Sequence, residues 1–274
     1  MAYLIIKFGS AARGDTNKNS DEDYTCIYNK KHPIDKLIKK YENITFISLD
    51  EISFMKKAGS LFITHLDTDG QKIEGDDHIF NDIKGFKPNK NCLLKSIKES
   101  SEFISKIEWF PSSPRGNLWL LDVLYVSFRN ILYCKNASNY IYEFSLDSAM
   151  CCFGLTKEEK DTMMYIRDGK YAYRANNIKS FKISENNISN ISSLAKTITE
   201  SLVRLNESGI TKWDKQWKYD YWDERLIERA IINKEIEDNG FHKKLMNHNY
   251  NKRSLPKDVR KYVIAAQQKG HLDI

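Results

Sequence analysis

The sequence contains no long hydrophobic run, and we expect no cleavable leader. Its apolar residues come in short groups, well below the roughly 18 consecutive apolar residues of a membrane-spanning helix. The first apolar stretch, residues 3–8, follows no basic segment and precedes no small-residue cleavage site. We therefore expect a cytoplasmic protein without a membrane span.

Cysteines are few and irregularly spaced. The chain has five of them, an odd number, and Cys151 and Cys152 are adjacent. None follows the spacing of a metal site, and an odd count argues against a disulfide framework. We expect reduced thiols, several of them packed in the core.

The chain also lacks an acidic excess. Its 43 lysines and arginines outnumber 37 acidic residues, for a net charge of +6. That balance suits a polyanionic ligand such as a nucleotide or nucleic acid.

At 274 residues the chain exceeds the usual size of one domain. The polar break after residue 87 predicts a domain boundary. We expect a small α/β domain at 1–87 and a mainly helical domain with a basic tail at 88–274, which together make an α+β protein.

One stretch near the N-terminus carries candidate chemistry. A strand pattern at residues 3–8 ends at Gly9-Ser10, and Asp21 and Asp23 begin the next strand pattern. Glycine lets a backbone approach a bulky anion, and Ser10 supplies a hydroxyl and an N–H at a predicted helix start. Carboxylates two apart on a strand share one face, where Mg²⁺ can bind them together with substrate phosphates. A phosphate cradle beside a carboxylate pair is typical of phosphoryl or nucleotidyl transfer.

These residues resemble the motif of the DNA polymerase β-like nucleotidyltransferases, in which Gly-Ser is followed, after a gap, by Asp-x-Asp. Ten residues separate Ser10 from Asp21 here, and the Ala-Arg-Gly-Asp of residues 12–15 is similar to the minimal branch of that superfamily. The resemblance covers residues 3–28. It implies that Asp21 and Asp23 are catalytic and hold Mg²⁺ or Mn²⁺, while Gly9 and Ser10 hold the phosphates of ATP or dATP. Arg13 is a further candidate for neutralising a phosphate.

The sequence departs from that superfamily at the third carboxylate. The family normally carries it on the strand predicted here at 43–48, which contains no acidic residue. Glu42 and Asp50 flank the strand. Either Glu42 takes the role, or an acid from another segment does, or the site works with two carboxylates. The position between the paired aspartates, usually apolar, is Glu22.

Other polar residues of this domain have two interpretations. His65, on a predicted helix, is either a general base or a packed histidine. A group of acids with one histidine around Gly70 and Gly75 is either a metal cluster or a solvated loop: Asp67, Asp69, Asp76, Asp77 and His78.

The remaining patterns predict the order of elements. In the first domain they are a helix at 34–41, a strand at 43–48, a helix from Glu51 capped by Asp50, a helix that continues or restarts at 59–66, and a short strand at 71–73. Beyond them we expect helices at 93–107, 118–133, 145–153, 156–173 and 194–205, an irregular stretch at 176–193, and a helix starting at Leu255.

The helical half contains a basic stripe. Arg167, Lys170 and Arg174 recur on one helical face among tyrosines. The stripe is either a solvated face or a contact for triphosphate or nucleic acid, because tyrosines can stack on bases. Asp122 and Arg129, in a strongly apolar helix, need partners if buried, so they pair or line a cleft.

Two aromatic features of the helical half also have two interpretations each. An aromatic stripe formed by Trp213, Trp217 and Tyr221 is either core or a base-stacking or partner surface. In the basic tail, Tyr262 either packs on a terminal helix or supplies a priming hydroxyl for nucleotide addition, with Tyr250 as the other candidate.

The functional hypotheses differ in the molecule that accepts the transferred nucleotide. The first is synthesis of a nucleotide or single-stranded DNA-oligomer signal in anti-phage defence. Nucleotidyltransferases of Hailong systems are similar in size class and, as a family, make DNA oligomers primed from a tyrosine. The second is modification of a protein or tRNA, as in toxin–antitoxin modules, with a cognate effector or toxin–antitoxin protein as partner. A degenerate nucleotide-binding module is a third, non-enzymatic interpretation. The positive charge argues against adenylylation of a cationic antibiotic.

Overall fold

The fold is known from a computed structural model, which describes residues 2–16, 22–30, 34–41, 43–177, 183–213, 220–237, 240–246 and 255–268. The strands in these ranges are β1 (Tyr3–Phe8), β2 (Asp23–Tyr28), β3 (Asn43–Ser48) and β4 (Gln71–Gly75). The helices are α1 (Ser10–Arg13), α2 (Ile34–Lys40), α3 (Leu49–Lys57), α4 (Leu61–Asp69), α5 (Asp77–Ile83), α6 (Lys90–Ser105), α7 (Pro114–Ser138), α8 (Leu146–Phe153), α9 (Lys157–Arg174), α10 (Glu185–Thr199), α11 (Tyr221–Ile232), α12 (Phe241–Met246) and α13 (Leu255–Gln268).

The predicted α+β class is confirmed: a small mixed sheet with helices is followed by a mainly helical remainder. The chain divides into two compact units. The first comprises residues 1–100 and 129–156, and the second comprises residues 101–128 and 157–274. The predicted domain boundary at residues 87/88 stays a prediction. None of the helices described above is both long and apolar enough to cross a membrane.

The sheet of the first unit has the order β3-β2-β1-β4. Strand β1 pairs antiparallel with β2 and β4, and β2 pairs parallel with β3. Because side chains alternate along a strand, β1, β2 and β3 each contribute to two apolar layers. One layer is built on residues such as Leu4, Ile6 and Ile27, and the other on Ile5 and Cys26. Asp23 is four residues before Ile27, so it shares the face of the larger layer.

One helix start differs from expectation, and at another the structure decides between the two predicted alternatives. The predicted cap Asp50 is wrong: it lies inside α3, whose cap is Ser48. Ser48 Oγ accepts from the N–H of Glu51, and the Glu51 carboxylate accepts from the N–H of Ser48, so two otherwise unpaired donors are satisfied. Helix α4 restarts after Gly59 because Ser60 accepts a hydrogen bond from the N–H of Phe62.

The irregular stretch predicted at 176–193 is wrong in its second half, where α10 begins at Glu185. Ser184 caps α10, and Asn187 takes the place that glutamate usually holds in a reciprocal cap. The helix ends at Thr199, followed by Glu200 in a left-handed conformation, so the predicted continuation to residue 205 is wrong. A polar, amide-rich start concealed a helix whose buried face begins only at Ile191.

Helices α6, α7, α8 and α9 overlap the helices predicted from apolar spacing, and α13 starts at Leu255 as expected, whereas α5, α11 and α12 were not predicted. The five cysteines are free, and Cys26 and Cys134 are buried. Of the aromatic stripe, Trp213 is buried and Tyr221 begins α11, while Trp217 lies outside the described residues.

Helix α11 buries an unusual number of charged side chains. Glu224 is fully buried, and neither of its carboxylate oxygens has a hydrogen-bond partner among the residues described. Burial raises the pKa of Glu224 to about 8; the Arg225 charge opposes this shift, and Asp220, Glu228 and Asp223 reinforce it. The folded protein therefore holds a proton on Glu224 at neutral pH.

This proton predicts a pH-dependent stability. Between the ordinary pKa of 4.5 and about 8, the folded state binds a proton that the unfolded state has released, so Glu224 lowers the free energy of unfolding as pH rises through that window. Glu224→Gln stays neutral at every pH. We expect its melting temperature relative to the wild type to rise steadily from pH 4.5 to pH 8, as measured by scanning fluorimetry.

The matched control is Glu237→Gln, at an exposed position in the same unit. It measures the effect of replacing an exposed glutamate by glutamine. A difference for Glu224→Gln that varies with pH no more than that of Glu237→Gln would contradict a protonated Glu224.

Candidate active site

The turn after β1 has a backbone that depends on glycine. Gly9 has φ 76° and ψ −160°, a region that residues with a Cβ avoid. Its carbonyl accepts hydrogen bonds from the N–H groups of Ala12 and Arg13, both at 3.1 Å, which closes the single turn of α1. Gly14, also left-handed with φ 82°, ends α1 by donating its N–H to the carbonyl of Ser10. The chain thus reverses within six residues of the end of β1.

Asp23 lies directly beside this turn. It pairs with Phe8 on β1, the residue before Gly9, and with Asn43 on β3. A Cβ added to Gly9 would lie 3.4 Å from Asp23 Oδ2. The exposed Asp23 carboxylate and the Gly9 turn therefore adjoin, as the sequence motif predicts. Asp21, the other predicted acid, lies outside the described residues.

The sheet face around Asp23 changes from apolar to polar along the strands. Two positions after Asp23, Thr25 is fully buried, and its Oγ1 has no hydrogen-bond partner among the described residues. On β3, the partner of Thr25 is Thr45, and the next pair toward the core is Ile27 with Ile47. The polar end of this face is the one that adjoins the Gly9 turn.

The third carboxylate has no counterpart on β3. Asn43 and Thr45 occupy the positions beside Asp23 and Thr25. Asp50 follows the far end of the strand, since Ser48 pairs with Tyr28, so it is excluded as a substitute. Glu42 lies outside the described residues.

The described oxygens nevertheless fit Mg²⁺. That ion binds through one or two carboxylates together with waters and substrate phosphates, and it does not need a cage made entirely of protein ligands. Asp23 offers an exposed carboxylate, and Asn43 places an exposed amide beside it in the sheet. Within the described ranges, including the surroundings of Asp23, no group of three or more histidine, cysteine or acidic residues suited to a metal occurs.

Arg13, predicted to neutralise a phosphate, is engaged by carboxylates. Its Nη1 donates to Asp69 Oδ2 at 2.7 Å, and its Nε donates to Asp15 at 3.2 Å. Since Arg13 ends α1 and Asp69 ends α4, this ion pair joins the helix of the Gly9 turn to α4. Gln71 adds a second tie by donating to the carbonyl of Ala12 at 2.5 Å.

His65 belongs to the same tie. Its Nε2 lies 3.3 Å from Asp69 Oδ2, and its ring packs against Phe8 and Phe144 with centroid distances of 5.6 and 4.6 Å. Burial alone would raise the pKa of the Asp69 carboxyl, but hydrogen bonds from His65 and Arg13 outweigh it and lower that pKa. These contacts favour the packed interpretation of His65. In this Arg13–Asp69–His65 brace, the Arg13–Asp69 pair was missed from sequence, because residues 56 positions apart carry no pairing signal, whereas His65 and Asp69 are four residues apart on α4.

The acidic group around Gly70 is divided among separate partners. Asp67 accepts from the N–H of Gly85, Asp76 caps α5 through the N–H of His78, and Asp77 pairs with Lys72. The solvated-loop interpretation is therefore favoured over a metal cluster.

The remaining predicted site residues lie in the second unit. Lys170 Nζ is 3.8 Å from the ring centroid of Tyr171, and Arg174, whose side chain is 42% exposed, pairs with Asp122 at 3.1 Å. Tyr262 lies on α13 and exposes 8% of its surface, with its ring 4.8 Å from that of Phe241. Their assignments as phosphate contacts and priming hydroxyl stay predictions. Tyr250 lies outside the described residues.

A comparison with known protein families finds a match in the part of the chain that contains this site. Residues 3–69, from β1 to α4, match the family model described as "Nucleotidyltransferase domain". The match includes the Gly9 turn, Asp23 and both ends of the Arg13–Asp69 pair. It supports nucleotidyl transfer and a nucleotide substrate for this domain. No curated protein and no solved structure matches the chain significantly.

The brace predicts the effect of Asp69→Asn, which keeps the size of the side chain and removes its charge. A hydrogen bond to a charged group contributes about 1.5–3 kcal/mol. Part of the lost hydrogen-bond energy should leave α1 and the Gly9 turn less ordered, so that the triphosphate binds more weakly. We therefore expect KM for the nucleoside triphosphate to rise about 5-fold with a smaller change in kcat. Steady-state kinetics measures both.

Asp82→Asn, which removes the same charge from an exposed position in the same unit, is the control and should leave KM unchanged. The direction of the change discriminates two roles of Arg13. If Arg13 binds phosphate directly, its release from Asp69 should lower KM, and that outcome would contradict the brace.

Proposed function

We propose that this chain transfers a nucleoside monophosphate from a nucleoside triphosphate, ATP or dATP, to a hydroxyl group with release of pyrophosphate. The observation that carries the proposal is the contact between a glycine-dependent turn and a carboxylate: the Gly9 turn adjoins Asp23 at the polar end of the sheet. An anion that approaches the backbone at Gly9 is thereby brought beside an acidic group that can hold a cation.

In this proposal the residues of the site have two roles, phosphate binding and metal binding. Gly9 and Ser10 bind the β- and γ-phosphates, where a side chain at position 9 would obstruct the approach. Asp23, with Asp21 predicted beside it on the same face, holds Mg²⁺ or Mn²⁺. When bound, the ion neutralises charge on the triphosphate and lowers the pKa of the acceptor hydroxyl.

In the transfer itself, the acceptor oxygen forms a bond to the α-phosphorus as the bond from that phosphorus to its bridging oxygen breaks. Pyrophosphate leaves, and the acceptor hydroxyl releases its proton. No protein nucleophile is needed, since positioning and electrostatics supply most of the catalysis in such reactions. The Arg13–Asp69–His65 brace positions the turn and does not touch the reacting atoms.

The acid pair provides the first test. Asp23→Asn and Asp21→Asn should each reduce kcat for pyrophosphate release by at least about 100-fold, because removing a preorganised charge from the reacting centre costs on the order of 3 kcal/mol. Folding, measured by circular dichroism and melting temperature, should be retained.

Glu22→Gln is the matched control. Glu22 pairs with Lys7 at 2.6 Å and accepts from Tyr24 at 2.7 Å, and Lys7 and Tyr24 lie on the opposite face from Asp23. It should keep near-normal activity. Full activity in Asp23→Asn would overturn the proposed reaction.

For the product, we propose a nucleotide or DNA-oligomer signal. The net charge of +6 and the tyrosines around Lys170 in the helical region support a polyanionic product. A role in anti-phage defence is the expectation carried by the similarity in size class to the nucleotidyltransferases of Hailong systems. Transfer to a protein or tRNA, with a toxin–antitoxin partner, is the competing acceptor class.

An acceptor assay separates these outcomes. Purified protein is incubated with each NTP and dNTP and with Mg²⁺ or Mn²⁺, and products are resolved on denaturing gels and by intact-mass spectrometry. We expect free oligomers. A nucleotide mass on the peptide that contains Tyr262, lost in Tyr262→Phe, would identify self-priming and would require α13 to expose that hydroxyl. Label on a separate protein or on tRNA would move the assignment to the toxin-like class, and nucleotide binding without turnover would identify a degenerate module.

A further inference from the structure

The neighbour of Asp23 across the sheet is an amide. Strands β2 and β3 run parallel, and Asn43 is the residue of β3 that pairs with Asp23. Residues paired in this way point to the same face of the sheet, so the carboxylate and the amide lie side by side. Asn43 is exposed, and its side chain makes no hydrogen bond to the residues that the structure describes. The amide is therefore available to a ligand.

The spacing of these two side chains suits a shared cation. Neighbouring strands lie about 4.8 Å apart. Two oxygens that bind one Mg²⁺ at adjacent positions are about 3 Å apart, because each lies about 2.1 Å from the ion. Aspartate and asparagine side chains can converge by that amount from paired positions. An amide carbonyl oxygen, like a carboxylate, is a ligand that Mg²⁺ and Mn²⁺ accept.

A buried hydroxyl lies directly inward of this pair. Thr25 follows Asp23 by two residues on β2, so it shares its face, and it is fully buried. Its Oγ1 has no hydrogen-bond partner in the described ranges. Buried hydroxyls normally have a partner, so this one indicates a polar guest at the adjoining end of the face. The hydration water of a cation held by Asp23 and Asn43 can provide that partner.

The charge of this face suits a single divalent cation. Asn43 is neutral, and the rest of β3 contributes no acid. Glu22 pairs with Lys7, whose side chain lies on the other face of the sheet. The carboxylates assigned to the face are thus Asp23 and the predicted Asp21, and their two charges balance one Mg²⁺ or Mn²⁺. A second cation would need the phosphates of a nucleotide as ligands.

We propose that Asn43 is a ligand of this cation, and that without nucleotide the site holds one divalent cation between Asp23 and Asn43. The inference deepens the proposed transfer reaction and rests on it for the identity of the site. A neutral amide binds a cation less tightly than a carboxylate, because affinity follows the charge of the ligands. The nucleotide-free site is therefore weaker than one built from three carboxylates.

Binding of Mn²⁺ to the nucleotide-free protein tests the inference independently of activity, with free Mn²⁺ measured by electron paramagnetic resonance. We expect one site in the wild type that is absent from Asp23→Asn. Asn43→Ala should weaken this site at least about 10-fold, since even groups that only orient a metal ligand contribute that much. Asn43→Asp should tighten it at least about 10-fold, because it adds a charge next to the ion.

Asn91 provides the matched controls. It is an exposed asparagine on α6 in the same unit, so Asn91→Ala and Asn91→Asp make the same two changes outside the sheet. Both should leave the Mn²⁺ affinity unchanged. Equal tightening by Asn43→Asp and Asn91→Asp would identify general electrostatic attraction and overturn the assignment of Asn43. Melting curves establish folding, and loss of structure cannot mimic two Asn43 variants that shift the affinity in opposite directions.

Glu42→Gln tests the competing source of a third ligand. We expect it to bind Mn²⁺ as the wild type does. A loss of Mn²⁺ affinity as large as that in Asp23→Asn would assign the role to Glu42 and overturn Asn43. Absence of a Mn²⁺ site from the wild type, or unchanged affinity in Asn43→Ala, would also overturn the ligand. Loss of two sites in Asp23→Asn would overturn the single cation.

The proposed transfer reaction is judged separately, by pyrophosphate release. Release that is lost in Asp23→Asn, together with normal Mn²⁺ binding by Asn43→Ala, would overturn the ligand and keep the reaction. The expected Mn²⁺ affinities in a wild type that releases no pyrophosphate would keep the ligand and overturn the reaction.

Discussion

The candidate active site depends on the backbone conformation of one residue. Gly9 turns the chain from β1 into α1 through dihedral angles that a side chain would make costly. Because β1 is paired with β2 on one side and β4 on the other, the position of this turn is set by the sheet and not by the loop. The pairing of Phe8 with Asp23 then brings the carboxylate to the turn. A one-residue shift in that register would move Asp23 to the opposite face.

The short helix α1 cannot maintain its position alone. A single helical turn gains little stability from its own hydrogen bonds, since forming the first turn of a helix is the unfavourable step. Arg13 and the carbonyl of Ala12 tie α1 to Asp69 and Gln71, which flank the end of α4. The match to the nucleotidyltransferase domain ends at residue 69, so the brace closes within the matched segment. Its charges serve the geometry of the turn, so in the proposed reaction the phosphates would be bound by the backbone at Gly9 and by Ser10.

The two units use buried charge differently. In the first, Asp69 is partly buried, and its two partners outweigh the cost of its burial. In the second, α11 carries Arg225 and Glu228 in full burial with mutual compensation, while Glu224 remains without a hydrogen bond among the described residues and binds a proton. An ion network of this kind specifies orientation more than it adds stability. Arg174, which pairs with Asp122, is the most exposed of the three charged side chains that meet at Asp122, at 42%.

The sequence by itself determined the elements whose signal is local. A short apolar run defines β1, residues that favour strands define β3, and the spacing of Gly9, Ser10 and the two aspartates is enough to identify the motif. Local signals fail where polar residues begin a helix, as at α10, where a reciprocal cap formed by Ser184 and Asn187 replaces the usual glutamate pattern. Segments of low hydrophobicity carry little periodicity, so the sequence predicts this helix only from Leu194 onward.

Only the tertiary structure decided which side chains meet across the chain. That Asn43 and not an acid lies beside Asp23 depends on the parallel register of β2 and β3. That Arg13 pairs with Asp69, and Arg174 with Asp122, depends on packing between segments more than 50 residues apart. From the sequence alone, both arginines are candidates for binding phosphate. Pairing between distant charges leaves no periodic trace in a sequence, because it is set by the positions of whole helices and not by the residues next to each charge.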